Sequence, residues 1–244
     1  MKKFLVCLLV AVAAIGAGAQ NVSPDFERAM YKLLASINFE HKIDNMLTQI
    51  KENLHNVAPQ YDAQFENAIG VMKNEIYPMA IKAYSKHYTT AEINELVAYN
   101  NSPLGKRFKA VEDQINGEVA QMTQLMFSDP AEFDRRLVPV SNEYQVAVNE
   151  YFISQNIDKM LDQTFEQYRQ NGVNIPQANI DLMKRKFPAM FSSICSKYLS
   201  IEDLRGITAQ ANTALGQKFV TTSPIIQQEI SQELMPVVMR ALGL

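Results

Sequence analysis

The chain has no tryptophan, two cysteines, three histidines and nine glycines in 244 residues. Each scarcity narrows the chemistry. A paired-carboxylate glycosidase works against aromatic sugar platforms, and tryptophan, the widest of these, is missing. His41, His55 and His87 contain no pair at the i,i+4 spacing of a helical zinc site. His41 and Asp44 share one helical face, but two ligands do not make a zinc site. There is no G-x-S-x-G elbow, no phosphate-binding loop and no dinucleotide fingerprint. Spacing alone does not rule out a Ser-His-Asp arrangement. No catalytic, cofactor-binding or metal-ligating residue is assigned, and no cofactor is implied. Glu92, Glu95, Glu112 and Asp113 fall at helix starts or on polar faces, where the helix dipole accounts for them.

The N-terminus reads as a secretory signal. Lys2 and Lys3 precede an uncharged apolar run from Phe4 to Ile15, and Ala17-Gly18-Ala19 supplies small residues for cleavage. Residues 1–19 are therefore expected to be removed, leaving Gln20 first and no retained membrane span. The apolar run is shorter than the roughly 20 residues a spanning helix needs. Cys7 sits inside that run with Leu5 and Val6 before it, so it is no lipidation site. An exported, periplasmic location is expected, ahead of an extracellular one. Processing leaves Cys195 alone, which removes any intramolecular disulfide. Cys195 is then a buried small hydrophobe or a free thiol able to react or bridge to another chain. Processing also lowers Lys+Arg from 23 to 21 against 26 acids, a net charge of about −5. No basic block remains to neutralise phosphates, so nucleic acid is excluded as a partner.

What the chain does contain is repetition. Ile43-Asp44-Asn45-Met46-Leu47 returns as Ile157-Asp158-Lys159-Met160-Leu161, and Tyr77-Pro78 as Phe187-Pro188. Asn101-Ser102-Pro103-Leu104-Gly105 returns as Asn212-Thr213-Ala214-Leu215-Gly216, and Glu118-Val119-Ala120-Gln121 as Glu229-Ile230-Ser231-Gln232. The shared order and near-constant offset predict two helical units, 20–136 and 137–244, either separate or packed as one continuous bundle.

The apolar spacing is helical throughout. Phe26, Met30, Leu33, Leu34 and Ile37 form one stripe; Met46, Leu47, Ile50 and Leu54 a second; Phe65, Ile69, Met72 and Ile76 a third. Ile180, Met183, Phe187, Met190 and Ile194 repeat the third. Pro78 and Pro188 fall inside long segments, where a kink is expected. Thr89 with Glu92 and Ser200 with Asp203 read as capping boxes, and Ser102-Pro103, Ser128-Asp129-Pro130 and Ser223-Pro224 as helix starts. Nothing alternates with the period of a strand. The fold class is all-α, a tandem duplication of a helical-bundle unit without a sheet.

The run Tyr99-Asn100-Asn101-Ser102-Pro103-Leu104-Gly105-Lys106-Arg107-Phe108, behind the capped helix at Thr89, resembles the signature of a bacterial family, domain of unknown function 2059. The resemblance implies an exported helical protein and no known reaction. Asn100 replaces the family's second aromatic residue, and the second copy keeps only a degenerate form. Tyr99, Ser102, Lys106 and Arg107 occur together only in the first copy and are the candidate binding residues: a helix N-terminus beside two cations can dock an anion. The competing reading is structural, with Ser102 capping, Pro103 opening the helix and Gly105 permitting close packing.

The chain has twelve methionines, most of them in the mature part and mostly at core-like spacings along the apolar stripes. They serve ordinary packing, or they line an adaptable groove for a hydrophobic ligand, a peptide or an envelope protein. The functional expectation is an exported, non-enzymatic binding protein that holds an apolar partner between helices. A cell-envelope hydrolase built on His41 or His87, and a structural or assembly module, are the alternatives.

Overall fold

A computed structural model describes residues 22–170 and 172–242; the signal segment lies outside the described residues. Those residues form eleven α-helices, one short 3-10 turn (Pro59–Tyr61) and no strand. The helices are α1 (Pro24–Ser36), α2 (Phe39–Val57), α3 (Asp62–Ser85), α4 (Thr90–Asn101), α5 (Pro103–Ser128) and α6 (Pro130–Arg136). They continue as α7 (Asn142–Ser154), α8 (Ile157–Gln170), α9 (Gln177–Cys195), α10 (Ile201–Ala211) and α11 (Ala214–Leu242). The all-α expectation holds.

Side-chain caps fix most of the helix starts. Ser23, Ser102, Asp129 and Ser141 each accept the backbone N–H three residues on, satisfying a donor the helix leaves open. Thr89 and Glu92 exchange hydrogen bonds, as do Ser200 and Asp203, so both boxes form as read. Between α1 and α2, and again between α7 and α8, a single asparagine turns the chain: Asn38 and Asn156 both sit at φ +52°. Asparagine is the non-glycine residue that tolerates this left-handed conformation best.

One expected start does not form. Ser223-Pro224 lies inside α11, which runs unbroken from Ala214 to Leu242 with Pro224 and Pro236 within it. Proline's φ suits a helix, and its loss is one ladder bond apiece, which neighbouring turns tolerate. The first repeated block also shifts register. Ile157 is the first residue of α8 and half-buried, whereas Ile43 lies one turn into α2 and is buried.

By packing, the chain divides into one unit of residues up to Asn101 together with Thr221 onward, and another from Ser102 to Val220. This partition does not follow the repeat boundary at 136. Relative to the boundary expected at 136, α5, α6 and the greater part of α11 change sides.

In the first unit, Ile43, Leu47, Phe65, Ala68, Met72 and Ile76 form a core that Leu234, Val237 and Val238 of α11 help cover. The α1 stripe is buried at Phe26, Met30, Leu33 and Leu34, and α1 packs along α4. Lys82 pairs with Glu233 and Lys86 with Glu229, each at 2.8 Å, so α11 is held to α3 by apolar contact and charge together. In the second unit, Met122, Met126, Phe133, Val148, Met190 and Ile194 are among the buried core residues. Tyr144 donates to the Leu199 carbonyl at 3.0 Å, and Val138 N–H to Ser193 Oγ at 2.8 Å, satisfying polar groups at the core's edge. Most methionines lie in these cores; Met160 and Met239 are exposed.

Candidate functional site

Three helices of the first unit border a half-open cavity of about 400 Å³ lined by Tyr31 of α1, by Glu40, Ile43 and Asp44 of α2, and by Lys73, Asn74, Tyr77 and Pro78 of α3. The local sequence explains its position. Asn38 turns α2 back beside α1, which sets Glu40 and Asp44, one helical turn apart, on one wall. Pro78 lies inside α3 and carries no N–H, so the Asn74 carbonyl four residues earlier loses its ladder donor. Asn74 and Pro78 are one turn apart and both line the cavity.

Two rings, Tyr31 and Tyr77, form the aromatic wall, and Phe39 packs against Tyr77. Tyr31 and Tyr77 stack at 6.4 Å between centroids with an interplanar angle of 28°, and Phe39 meets Tyr77 edge-on at 5.3 Å. Lys73 is paired with Asp44, and that close contact, with the field of Glu40 added, holds its ammonium above the usual lysine range. Burial, followed by the carboxylates of Glu40 and Asp44, pushes the Tyr77 phenol upward. The Tyr77 phenol therefore stays protonated at neutral pH. The cavity offers hydroxyls, an amide, a free carbonyl and carboxylate charge beside aromatic faces. It is more polar than the apolar groove expected from the methionine content.

The residues singled out by sequence lie elsewhere. Tyr99 is half-buried near the end of α4 in the first unit, where burial raises its phenol's pKa. Ser102, Lys106 and Arg107 open α5 in the second unit. Ser102 Oγ accepts the Gly105 N–H at 3.1 Å, so the cap is made by the protein itself. Arg107 gives Nε and Nη2 to Asp203 Oδ1 at 3.0 and 2.6 Å, and Lys106 is exposed. Burial raises the Asp203 pKa, but hydrogen bonds from Arg107 and Ser200 outweigh it and hold the carboxyl below its ordinary range. The guanidinium is thus committed to a carboxylate that also completes the cap of α10.

Cys195 is fully buried, and burial pushes its thiol up to about 12, leaving it neutral and uncharged at physiological pH. In protein beginning at Gln20, a soluble thiol reagent should label Cys195 only at the rate of unfolding, and at once in denaturant. Prompt labelling in native buffer would contradict the burial.

The histidines do not gather. His41 meets Asn45, His55 meets Asp62 at 2.6 Å, and His87 meets Glu229 at 3.2 Å. Only His87 is half-buried, and Lys86 shares its carboxylate at 2.8 Å. Burial raises the Glu229 pKa, but Lys86 and His87 outweigh it and keep the group ionised. Among the described residues, no hydroxyl hydrogen-bonds to His87, and no group of three His, Cys, Asp or Glu side chains is placed to hold a metal. Asp44 is bound to Lys73 rather than to His41.

Sequence reading missed Tyr31, Glu40, Lys73, Asn74 and Tyr77 as a group. The available signal was Pro78, read only as a kink, although a mid-helix proline also frees a carbonyl.

A family model matches the segment from the second half of α3 to the end of α5. Residues 74–127 match the family described as uncharacterized protein conserved in bacteria, domain of unknown function 2059. The match covers Asn74, Tyr77 and Pro78 of the cavity, and the Tyr99–Arg107 run, so the resemblance read from that run holds. Neither the curated proteins nor the solved structures contain a match to this chain.

Proposed function

We propose that this is an exported, non-enzymatic binding protein that holds a small ligand in the cavity between α1, α2 and α3. The observation that carries the reading is the cavity itself. Its volume falls in the range of small-molecule sites, about 300–1,000 Å³, and it joins aromatic faces to a few convergent polar groups, as such sites do. Export rests on the Lys2-Lys3 charge, the apolar run and the Ala17-Gly18-Ala19 site, and a periplasmic location follows from it. Among the described residues, no helix is long and apolar enough to cross a membrane.

The reading modifies the partner as well as the place. A ligand for this cavity has an apolar part to lie against Tyr31 and polar groups for the opposite wall, rather than an apolar surface alone. Native mass spectrometry of protein purified from its own envelope tests it. The wild type should carry a small adduct at one per chain, and Tyr77→Ala should lose it while remaining folded by circular dichroism. An empty wild type, or an adduct retained in the variant, would refute the proposal.

A further inference from the structure

Among the polar groups of the cavity, some are already spent and some are open. Asp44 and Lys73 are ion-paired and their charges cancel, although the contact leaves the buried Asp44 Oδ1 without a hydrogen-bond partner. Glu40 makes no hydrogen bond or ion pair among the described residues, and neither the Tyr31 nor the Tyr77 hydroxyl is hydrogen-bonded. The Asn74 carbonyl has lost its ladder donor to Pro78. The open inventory is therefore dominated by acceptors, with one uncompensated negative charge.

Resting on the cavity as the binding site, we infer that its ligand carries an ammonium group. An ammonium offers three N–H donors and no acceptor. Glu40, the Asn74 carbonyl and a tyrosine hydroxyl supply acceptors of matching sign and number. The two tyrosine faces add attraction for a cation, worth more once water is displaced. An anion would meet the opposite balance: Glu40 repels it, and the one cation lining the site among the described residues, Lys73, is held by Asp44. A neutral polyol would find hydroxyls and the amide but would leave the Glu40 charge uncompensated.

The second proline-bearing helix of this kind sharpens the contrast. In α9, the positions one and four residues before Pro188 are Phe187 and Lys184. The phenol is absent, and Lys184, paired with Asp162, stands where Asn74 stands before Pro78. An ammonium site is thus specific to the first of these two helices.

Three probes of equal length separate the possibilities: 1,4-diaminobutane, 1,4-butanediol and succinate, each titrated calorimetrically into full-length mature protein at neutral pH and low salt. Since the chain lacks tryptophan, tyrosine fluorescence reports the same titration without interference. The diamine should bind one per chain, about tenfold or more tighter than the diol, and succinate should not bind. Glu40→Gln, at an exposed position that the fold does not need, should weaken the diamine by about tenfold with an unchanged melting curve. Diol or succinate binding as tightly as the diamine would overturn the ammonium while leaving the cavity as a site. Saturable binding by none of the three would overturn both. Full diamine affinity in Glu40→Gln would remove Glu40 as the recognition group and with it the inference.

Discussion

Replacing Gly216 by alanine should destabilise the second unit by about 3 kcal/mol, at the upper end of the cost of overpacking. A Cβ there would lie 2.2 Å from the Gln210 carbonyl oxygen, 2.7 Å from that of Ala211 and 2.8 Å from Ala211 Cα. All three are backbone atoms at the end of α10, so no side chain can swing aside. Relief requires α10 and α11 to part, and that would break the bond from Gln217 Nε2 to the Ala211 carbonyl at 2.8 Å. Gly70 and Gly117 supply the control. Their Cβ positions are open and both lie inside helices, so alanine there should stabilise by about 0.5–1 kcal/mol through backbone entropy. Urea unfolding of the three variants, followed by circular dichroism, separates the two signs. A neutral Gly216→Ala would mean the two helices do not pack as closely as described.

Phe65→Ala should cost about 3–5 kcal/mol, the range for a large aromatic side chain removed from a core. Phe65 is 1 % exposed and sits where α3 meets α2, among Ile43, Leu47, Met72 and Ile76. Ile43 also lines the cavity, and Asp44 and Lys73 lie beside that core on the same two helices. The substitution should therefore weaken ligand binding as well as stability, though Phe65 touches no ligand. Gly216→Ala, whose effect lies in the other packing unit, should lower stability and spare the cavity. Thermal melts with and without 1,4-diaminobutane read both effects. Equal loss of binding in the two variants would argue against a site confined to the first unit.

Much of the fold was legible because its signals are local. The stripe from Phe26 to Leu34 needs only the helical period, and the Thr89 and Ser200 boxes need only neighbours three residues apart. Ser223-Pro224 misled for the same reason. A hydroxyl before a proline is a local start signal, whereas the continuity of α11 is set by distant contacts, among them Leu234 and Val237 on the first unit's core. The candidate site was less legible. Tyr31 and Glu40 lie on different helices and Lys73 lies 33 residues (73 − 40) beyond Glu40, so their meeting depends on the turn at Asn38 and the packing of α3 against α2. The Tyr99–Arg107 run drew attention because its residues are contiguous. In the structure, Ser102 caps α5 and Arg107 braces Asp203, roles that hold helices together.

Chemical-shift mapping by NMR on labelled mature protein tests the central claim most directly. The titrant is the small-molecule fraction released from protein purified from its native envelope. The shifts should cluster at Tyr31, Glu40, Ile43, Asp44, Asn74 and Tyr77 and leave the Ser102–Arg107 segment unmoved. Shifts centred on Ser102, Lys106 and Arg107, or scattered over both packing units, would contradict it.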